Sequence, residues 1–352
     1  MACSGGGSSP SDAGADVGPT PGDGGALCTG VPAPQKLADL PSRSFGLGQL
    51  GDALVVLDPS GGRDTGNSFS PKTGALLRVP KTGGAPSDFH VPAAADRTVG
   101  SFFVDGTDVW FIEGPTAMRS QSGIFRRGAA DAMPTPLGTT RYDGLTAYVA
   151  GVDANSVYAI TPGMSGSVDA VRIDRASGAE TVIASDVSSV GAWTYEGFLW
   201  FYSASGGGYF KAPLSASGAS PTKVTDINCL SGLLLSPDGF FCGGPLTIQR
   251  YADETFSAPT RIFDILDTKL EGTSPRPHAV TGANVIVSLR IDPKKRTPLL
   301  LVPKTGGAWR PLACDVASVE YLVTDGTFAY WVERRADGDG MDRLALFRTP
   351  IP

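Results

Sequence analysis

Apolar residues in this chain come in short runs, not in helical stripes, and each run is closed by a glycine turn. Three of the runs are aromatic: Val109-Trp110-Phe111, Leu199-Trp200-Phe201 and Ala329-Tyr330-Trp331. Each follows a small or apolar segment and a tight turn such as Asp105-Gly106 or Asp325-Gly326, where glycine supplies the positive φ that a hairpin needs. A third segment then alternates polar with apolar positions, as in Gly123-Ile124-Phe125-Arg126-Arg127 and Asp169-Ala170-Val171-Arg172-Ile173. A second glycine turn, Lys81-Thr82-Gly83-Gly84 or Ser177-Gly178, leads to a short outer segment such as Glu180-Thr181-Val182-Ile183. The pattern predicts four antiparallel strands per unit.

The units repeat. LLRVPKTGGA at 76–85 returns as LLLVPKTGGA at 299–308, which sets Val79 and Val302 223 residues apart. VDGTDVWF returns as VTDGTFAYW, with Asp105 and Asp325 220 residues apart. One fifth of either interval is about 44 residues, the size of a four-stranded propeller blade. The turn anchors are Gly51, Gly106, Ala154, Gly197, Gly239, Gly282 and Gly326. Seven anchors predict a seven-bladed β-propeller, all-β, spanning residues 33–352 as one domain. The last unit is one strand short, and Ala33-Pro34-Gln35-Lys36-Leu37-Ala38-Asp39 has the pattern of an outer strand. An N-terminal strand closing the last blade would hide two sheet edges at once. Trp110, Trp200 and Trp331 are read as equivalent blade-packing positions.

The 46 glycines and 28 prolines exclude a helical bundle, while 41% hydrophobic residues are enough for a large core. With 29 basic and 35 acidic residues the net charge is −6, which argues against a nucleic-acid partner. The densest basic cluster, Lys294-Lys295-Arg296, reads as a solvated hairpin tip. Residues 1–32, rich in Gly, Ser, Asp and Pro, read as a flexible tether.

Ala2-Cys3-Ser4-Gly5-Gly6 resembles the cleavage site of bacterial lipoproteins, although the apolar leader that usually precedes such a cysteine is not among these residues. The resemblance implies lipid attachment at Cys3, a periplasmic or cell-surface address in a bacterial envelope, and membrane contact only through that lipid. Cys3 also reads as an ordinary cysteine in a disordered tail. The other cysteines, Cys28, Cys229, Cys242 and Cys314, allow three pairings, and sequence alone does not choose among them. An exported protein permits at least one bridge.

The Asp-Gly turn followed by [VLA]-[WY]-[FW], with the later R-x-P-x-x-G-G, resembles the exported propellers that include YWTD, TolB-like and streptogramin-lyase-like proteins. That resemblance implies the fold over about residues 40–352 and no particular reaction. A streptogramin-lyase-like activity would want a histidine at the central mouth. The chain's two histidines, His90 and His278, lie in units one and six and match no such position. They read as structural or surface residues. Asp337, Asp339 and Asp342 on a glycine-rich turn are candidate ligands for an oxygen-seeking cation such as calcium, and equally read as a solvated hairpin tip. Long second-to-third connections at about 59–74, 115–122 and 334–342 mark units one, two and seven, contiguous in a closed ring. Arg63, Asp64, Asn67, Phe69, Arg119 and Gln121 are the contacts this sector offers, set against the reading that the insertions are harmless. The function that follows is a non-enzymatic, monomeric binding or scaffolding module for a protein or glycan. A propeller lyase or lactonase working at the central funnel is the alternative, and a purely structural envelope component is a third.

Overall fold

The computed structural model describes residues 27–41, 44–58, 74–94, 96–115, 121–138, 142–143, 147–162, 168–185, 187, 191–203, 206–218, 220–268, 270, 272–291, 295–336 and 342–352. They form seven antiparallel sheets, six of them built in sequence order from an inner to an outer strand. Blade 1 holds Phe45–Leu50, Ala53–Asp58, Ala75–Pro80 and Ser87–His90, and blade 2 opens with Arg97–Val104, Asp108–Pro115 and Gln121–Gly128. The outer edge of blade 2 is split into two-residue pieces, Thr135–Pro136 and Tyr142–Asp143, both paired to its third strand. Blade 3 is Tyr148–Val152, Ser156–Pro162, Val168–Asp174 and Glu180–Ala184, and blade 4 is Ala192–Tyr195, Phe198–Ser203, Gly208–Pro213 and Thr222–Thr225. Blade 5 is Gly232–Ser236, Gly239–Gly243, Thr247–Tyr251 and Thr260–Asp264, followed by a one-turn 3-10 helix, Ile265–Asp267. Blade 6 is Thr273–Thr281, Asn284–Arg290, Thr297–Pro303 and Arg310–Val316, and blade 7 begins with Ser318–Thr324, Phe328–Ala336 and Asp342–Pro350.

The fourth strand of blade 7 is Gln35–Leu40, which pairs antiparallel with Asp342–Pro350 from Gln35 opposite Arg348 to Leu40 opposite Leu344. The ring therefore shuts as the sequence predicts. A second closure is covalent: Cys28 is bonded to Cys314 on the outer strand of blade 6, across a separation of 286 residues. The last residues assigned to the tether are thus fastened to the disc. The remaining pair, Cys229–Cys242, joins the crossing between blades 4 and 5 to the second strand of blade 5.

Each blade is buried on both faces, so its central strands read as unbroken apolar runs. In Ala53–Asp58 every residue is buried. Leu54 and Val56 face blade 7, while Val55 and Leu57 face blade 2. The seven core clusters correspond to the seven blade interfaces. This alternation corrects one sequence reading. Trp110 packs between blades 2 and 3, and its repeat equivalent is Tyr330, between blades 7 and 1. Trp331 is one position further along, so it points to the opposite blade face, toward blade 6. All are packing residues, but they do not form one equivalent set.

The predicted anchors fall in the hairpins between first and second strands, and Gly106, Gly197 and Gly326 adopt φ of 95°, 78° and 85°. Ala154 lacks that freedom, and a carboxylate holds its turn instead. Asp153 Oδ1 accepts from the Asn155 and Ser156 N–H groups at 2.8 Å each. Asp105 and Asp325 do the same in blades 2 and 7. The second oxygen of each then takes a donor five residues on: Trp110 Nε1 at 3.0 Å, Tyr158 OH at 2.6 Å and Tyr330 OH at 2.9 Å.

The recurrent Pro-Lys-Thr-Gly-Gly turn has a task as well. Lys81 of blade 1 reaches back to Asp325 of blade 7 at 3.0 Å, and Lys304 of blade 6 reaches back to Asp238 of blade 5 at 2.8 Å. Arg175 of blade 3 lies over the Trp110 ring of blade 2, 4.7 Å from its centroid. One face of the disc is therefore stitched from blade to blade.

Candidate functional site

Every blade sends its second strand toward the opposite face, where the second-to-third connections and the blade crossings lie. A cavity of about 860 Å³ opens there among the inner strands of blades 4 to 7, within the ~300–1,000 Å³ of small-molecule sites. Blade 4 contributes Trp193, Tyr202 and Tyr209, and the crossing into blade 5 contributes Asn228 to Leu233. Blade 6 contributes Ser274, Arg276 and Ser288 to Ile291, and blade 7 adds Ser318, Val319, Glu320 and Arg334.

The wall is fixed locally. The Ser231 N–H donates to the Gly243 carbonyl at 2.9 Å, its hydroxyl donates to the Gly244 carbonyl at 3.0 Å, and the Cys229–Cys242 bond pins the same segment. Gly243 is required by close approach, since a Cβ there would lie 2.6 Å from the Pro275 carbonyl oxygen. Ser274 holds a left-handed φ of 51°, which is costly for a residue with a Cβ, while its N–H donates to the Pro245 carbonyl at 2.7 Å. Elsewhere around the axis, first strands of neighbouring blades approach closely; the approach is looser between blades 4 and 5. The interface there is an aromatic cluster of Trp200, Tyr209, Phe240, Tyr251 and Phe256 with the disulfide.

The charge of the cavity is the reverse of the protein's. Among the described residues, three arginines and one glutamate line it, in a chain of net charge −6. Arg334 Nε lies 3.1 Å from Glu320 Oε1, and Arg276 Nη1 donates to the Glu320 main-chain carbonyl at 3.3 Å. Arg290 is exposed and has no hydrogen bond or ion pair with another of the described residues. Behind this rim, His278 Nε2 stands 2.7 Å from the hydroxyl of buried Ser288. Burial, and then the neighbouring Arg276 charge, push the His278 imidazole down to about 3. It is neutral at ordinary pH and a weak base.

His278 lies within the first strand of blade 6, and the Ser288 contact is one that sequence reading missed. The two residues are ten apart on paired strands, a separation that no linear motif displays. His90 ends the outer strand of blade 1 and is buried against Glu113, Nε2 to Oε2 2.6 Å, with Arg97 Nε 2.6 Å from the other oxygen. Burial works to raise the Glu113 carboxyl, but the His90 and Arg97 contacts outweigh it and hold the group below its usual range. Glu333, at the equivalent position of blade 7, is fully buried and takes Trp331 Nε1 at 3.0 Å and Arg335 Nε at 2.6 Å. Both carboxylates are structural.

Arg63, Asp64, Asn67, Phe69 and Arg119 lie outside the described residues, as do Asp337, Asp339 and Cys3. Gln121 and Asp342 begin third strands, paired through their backbones with Asp143 and Ala336. The second-to-third connections of blades 2 and 7 cover 116–120 and 337–341, no longer than 163–167 in blade 3, so only the 59–74 connection of blade 1 is elongated. Blade 7 is the one blade shared by that predicted sector and the cavity. Among the described residues no three His, Cys, Asp or Glu side chains converge, and no helix is long and apolar enough to cross a membrane.

No family model matches the chain, and no curated protein matches it. Among solved structures it is similar to an oligogalacturonate lyase in complex with manganese, with a TM-score of 0.52 and 12% identity over 91% of this chain and 98% of that one. An oligogalacturonate lyase from Vibrio parahaemolyticus gives 0.51 and 8%, over 92% and 98%. A puromycin-hydrolysing peptidase from Mycobacterium tuberculosis gives 0.49 and 15%, and the chain spans 86% of its own length but half of that protein. At these identities the likeness is one of fold. The manganese is that lyase's own; among the described residues here no three His, Cys, Asp or Glu side chains gather.

Proposed function

We propose that this chain is a non-enzymatic binding propeller of the bacterial cell envelope that receives a protein or glycan partner at the funnel mouth of blades 4 to 7. The supporting observation is the 860 Å³ cavity with half-buried Trp193 and Tyr202 on one wall and arginines on the other. The frame holding these walls is closed by strand pairing and by a disulfide, so little ordering cost falls on binding. In this reading Arg63, Asp64, Asn67, Phe69, Arg119 and Gln121 are further contacts for that partner. Two disulfides suit an oxidising compartment, and Cys3 is the lipid attachment point in this reading. Metabolic labelling with a fatty-acid analogue tests the anchor, with loss of label expected in Cys3→Ala.

The binding test is a screen of the purified chain against glycan and envelope-protein panels. A Trp193→Ala/Tyr202→Ala variant is expected to lose affinity about tenfold or more while keeping its melting temperature within a few degrees. Unchanged affinity in that variant rejects the funnel as the site.

One observation favours the enzyme reading: a serine hydroxyl and an imidazole in contact at the cavity wall. The base is mismatched to the task, however, because burial, and then the Arg276 charge, destabilise the imidazolium that proton transfer would create. Fluorophosphonate treatment followed by peptide mapping decides between the two readings. Labelling of Ser288 would restore the enzyme.

A further inference from the structure

We infer that the funnel takes an acidic oligosaccharide, its carboxylates held by Arg276, Arg290 and Arg334 and its sugar rings laid against Trp193 and Tyr202. The inference rests on the funnel being the binding site and adds the chemistry of what enters it.

Charge is the first argument. In an acidic protein with 35 Asp and Glu residues, the described residues that line the cavity include one carboxylate, Glu320, against three guanidinium groups. That carboxylate offsets only part of their charge. Glu320 takes Arg334 through Oε1 and Arg276 through its main-chain carbonyl, and a guanidinium has five donors in a fixed fork. The Arg290 side chain, exposed at the rim, makes no hydrogen bond or ion pair with the other described residues.

Shape is the second argument. Each blade is a separate sheet, and the outer strand edges to which an extended peptide could add lie at the rim of the disc, away from the cavity. The cavity instead sets half-buried aromatic faces opposite the arginines, with Ser231, Ser274 and Asn228 between them as hydroxyl and amide partners. Apolar ring faces, hydroxyls and carboxylates on one ligand are the chemistry of a uronic-acid sugar.

Calorimetric titration of the whole protein tests this with three probes: a panel of hexameric uronates, neutral maltohexaose and hexaglutamate. The expected result is binding of at least one uronate that weakens with added salt, and none of maltohexaose. Arg290→Gln should lower that affinity about tenfold, and Arg276→Gln/Arg290→Gln about a hundredfold. Glu320→Gln removes the competing anion and should raise affinity, whereas loss of a structural prop would lower it. Uronate and maltohexaose binding equally, insensitive to the arginine variants but lost in Trp193→Ala, would overturn the acidic ligand and leave the funnel standing. Uronate binding that none of these variants alters would overturn both. Hexaglutamate binding more tightly than every uronate would replace the sugar with an acidic peptide, and failure of every probe to bind also overturns the inference.

Discussion

The two faces of the disc are built on different principles. On the face of the first-to-second hairpins, turns are short and repeat from blade to blade. Asp105, Asp153 and Asp325 cap their own backbones and then hold an aromatic donor, and Lys81 and Lys304 bridge to the preceding blade. On the opposite face the connections vary in length, Ser274 sits in a left-handed conformation, and arginines gather at an open cavity. What repeats holds the ring; what departs from the repeat forms the candidate site. The same contrast appears within equivalent tryptophans. Trp110 gives its N–H to Asp105, whereas Trp200, beside the funnel sector, is buried with Nε1 unpartnered.

The contrast yields measurements, taken here from the largest effect downward. Cys28→Ser/Cys314→Ser should cost on the order of 4 kcal/mol of unfolding free energy in urea, because the bond constrains a very long loop. Opening Cys229–Cys242 by Cys229→Ser/Cys242→Ser should cost roughly 3 kcal/mol and also weaken ligand binding, since that bond lies in the cavity wall. Asp325→Ala removes two backbone caps, the Tyr330 bond and the Lys81 bridge, and should cost about 1–3 kcal/mol without touching funnel affinity. A coupled loss of binding there would break the division between faces. Trp110→Phe should cost about 1 kcal/mol more than Trp200→Phe, the latter having no hydrogen bond to lose.

Acid should separate the faces as well. His278 titrates near its ordinary 6.5 in the unfolded chain but near about 3 in the fold, so the unfolded state binds the extra proton in between. Its contribution is full above pH 6.5 and is lost as pH falls toward 3. For Asp325, burial acts to raise the pKa, but the Phe328 N–H, Lys81 and Tyr330 outweigh it and bring it down to about 2. That contribution is lost only as pH falls below about 3.8. Melting temperatures of His278→Gln and Asp325→Asn across pH 2–7 should show the two windows, the first affecting the funnel and the second the stitched face.

Much of the fold was legible in the sequence because turn chemistry and strand alternation are local and recur seven times. The closing strand was legible for the same reason, since Gln35–Leu40 has the pattern of the other outer strands. Pairing of cysteines was not, because Cys28 and Cys314 meet only once the ring has formed. The cavity was hidden for a related reason. Trp193, Arg276, Arg290 and Arg334 come from three blades, and in one dimension each is an unremarked residue near a strand end. A direct signal did exist for the stitches. Lys81 and Lys304 fall in the most nearly identical repeated segment of the chain, beyond what a glycine turn alone requires.

Gln35 opposes Arg348, and that pairing has a consequence for how the molecule is made. Gln35–Leu40 is synthesised long before Asp342–Pro350 and must wait for it before finding its place in blade 7. Contacts this distant along the chain slow folding and leave unpaired edges exposed meanwhile. A polypeptide cut short before Asp342–Pro350 would strand its own beginning, and even a small C-terminal truncation should yield an aggregating product instead of a six-bladed disc.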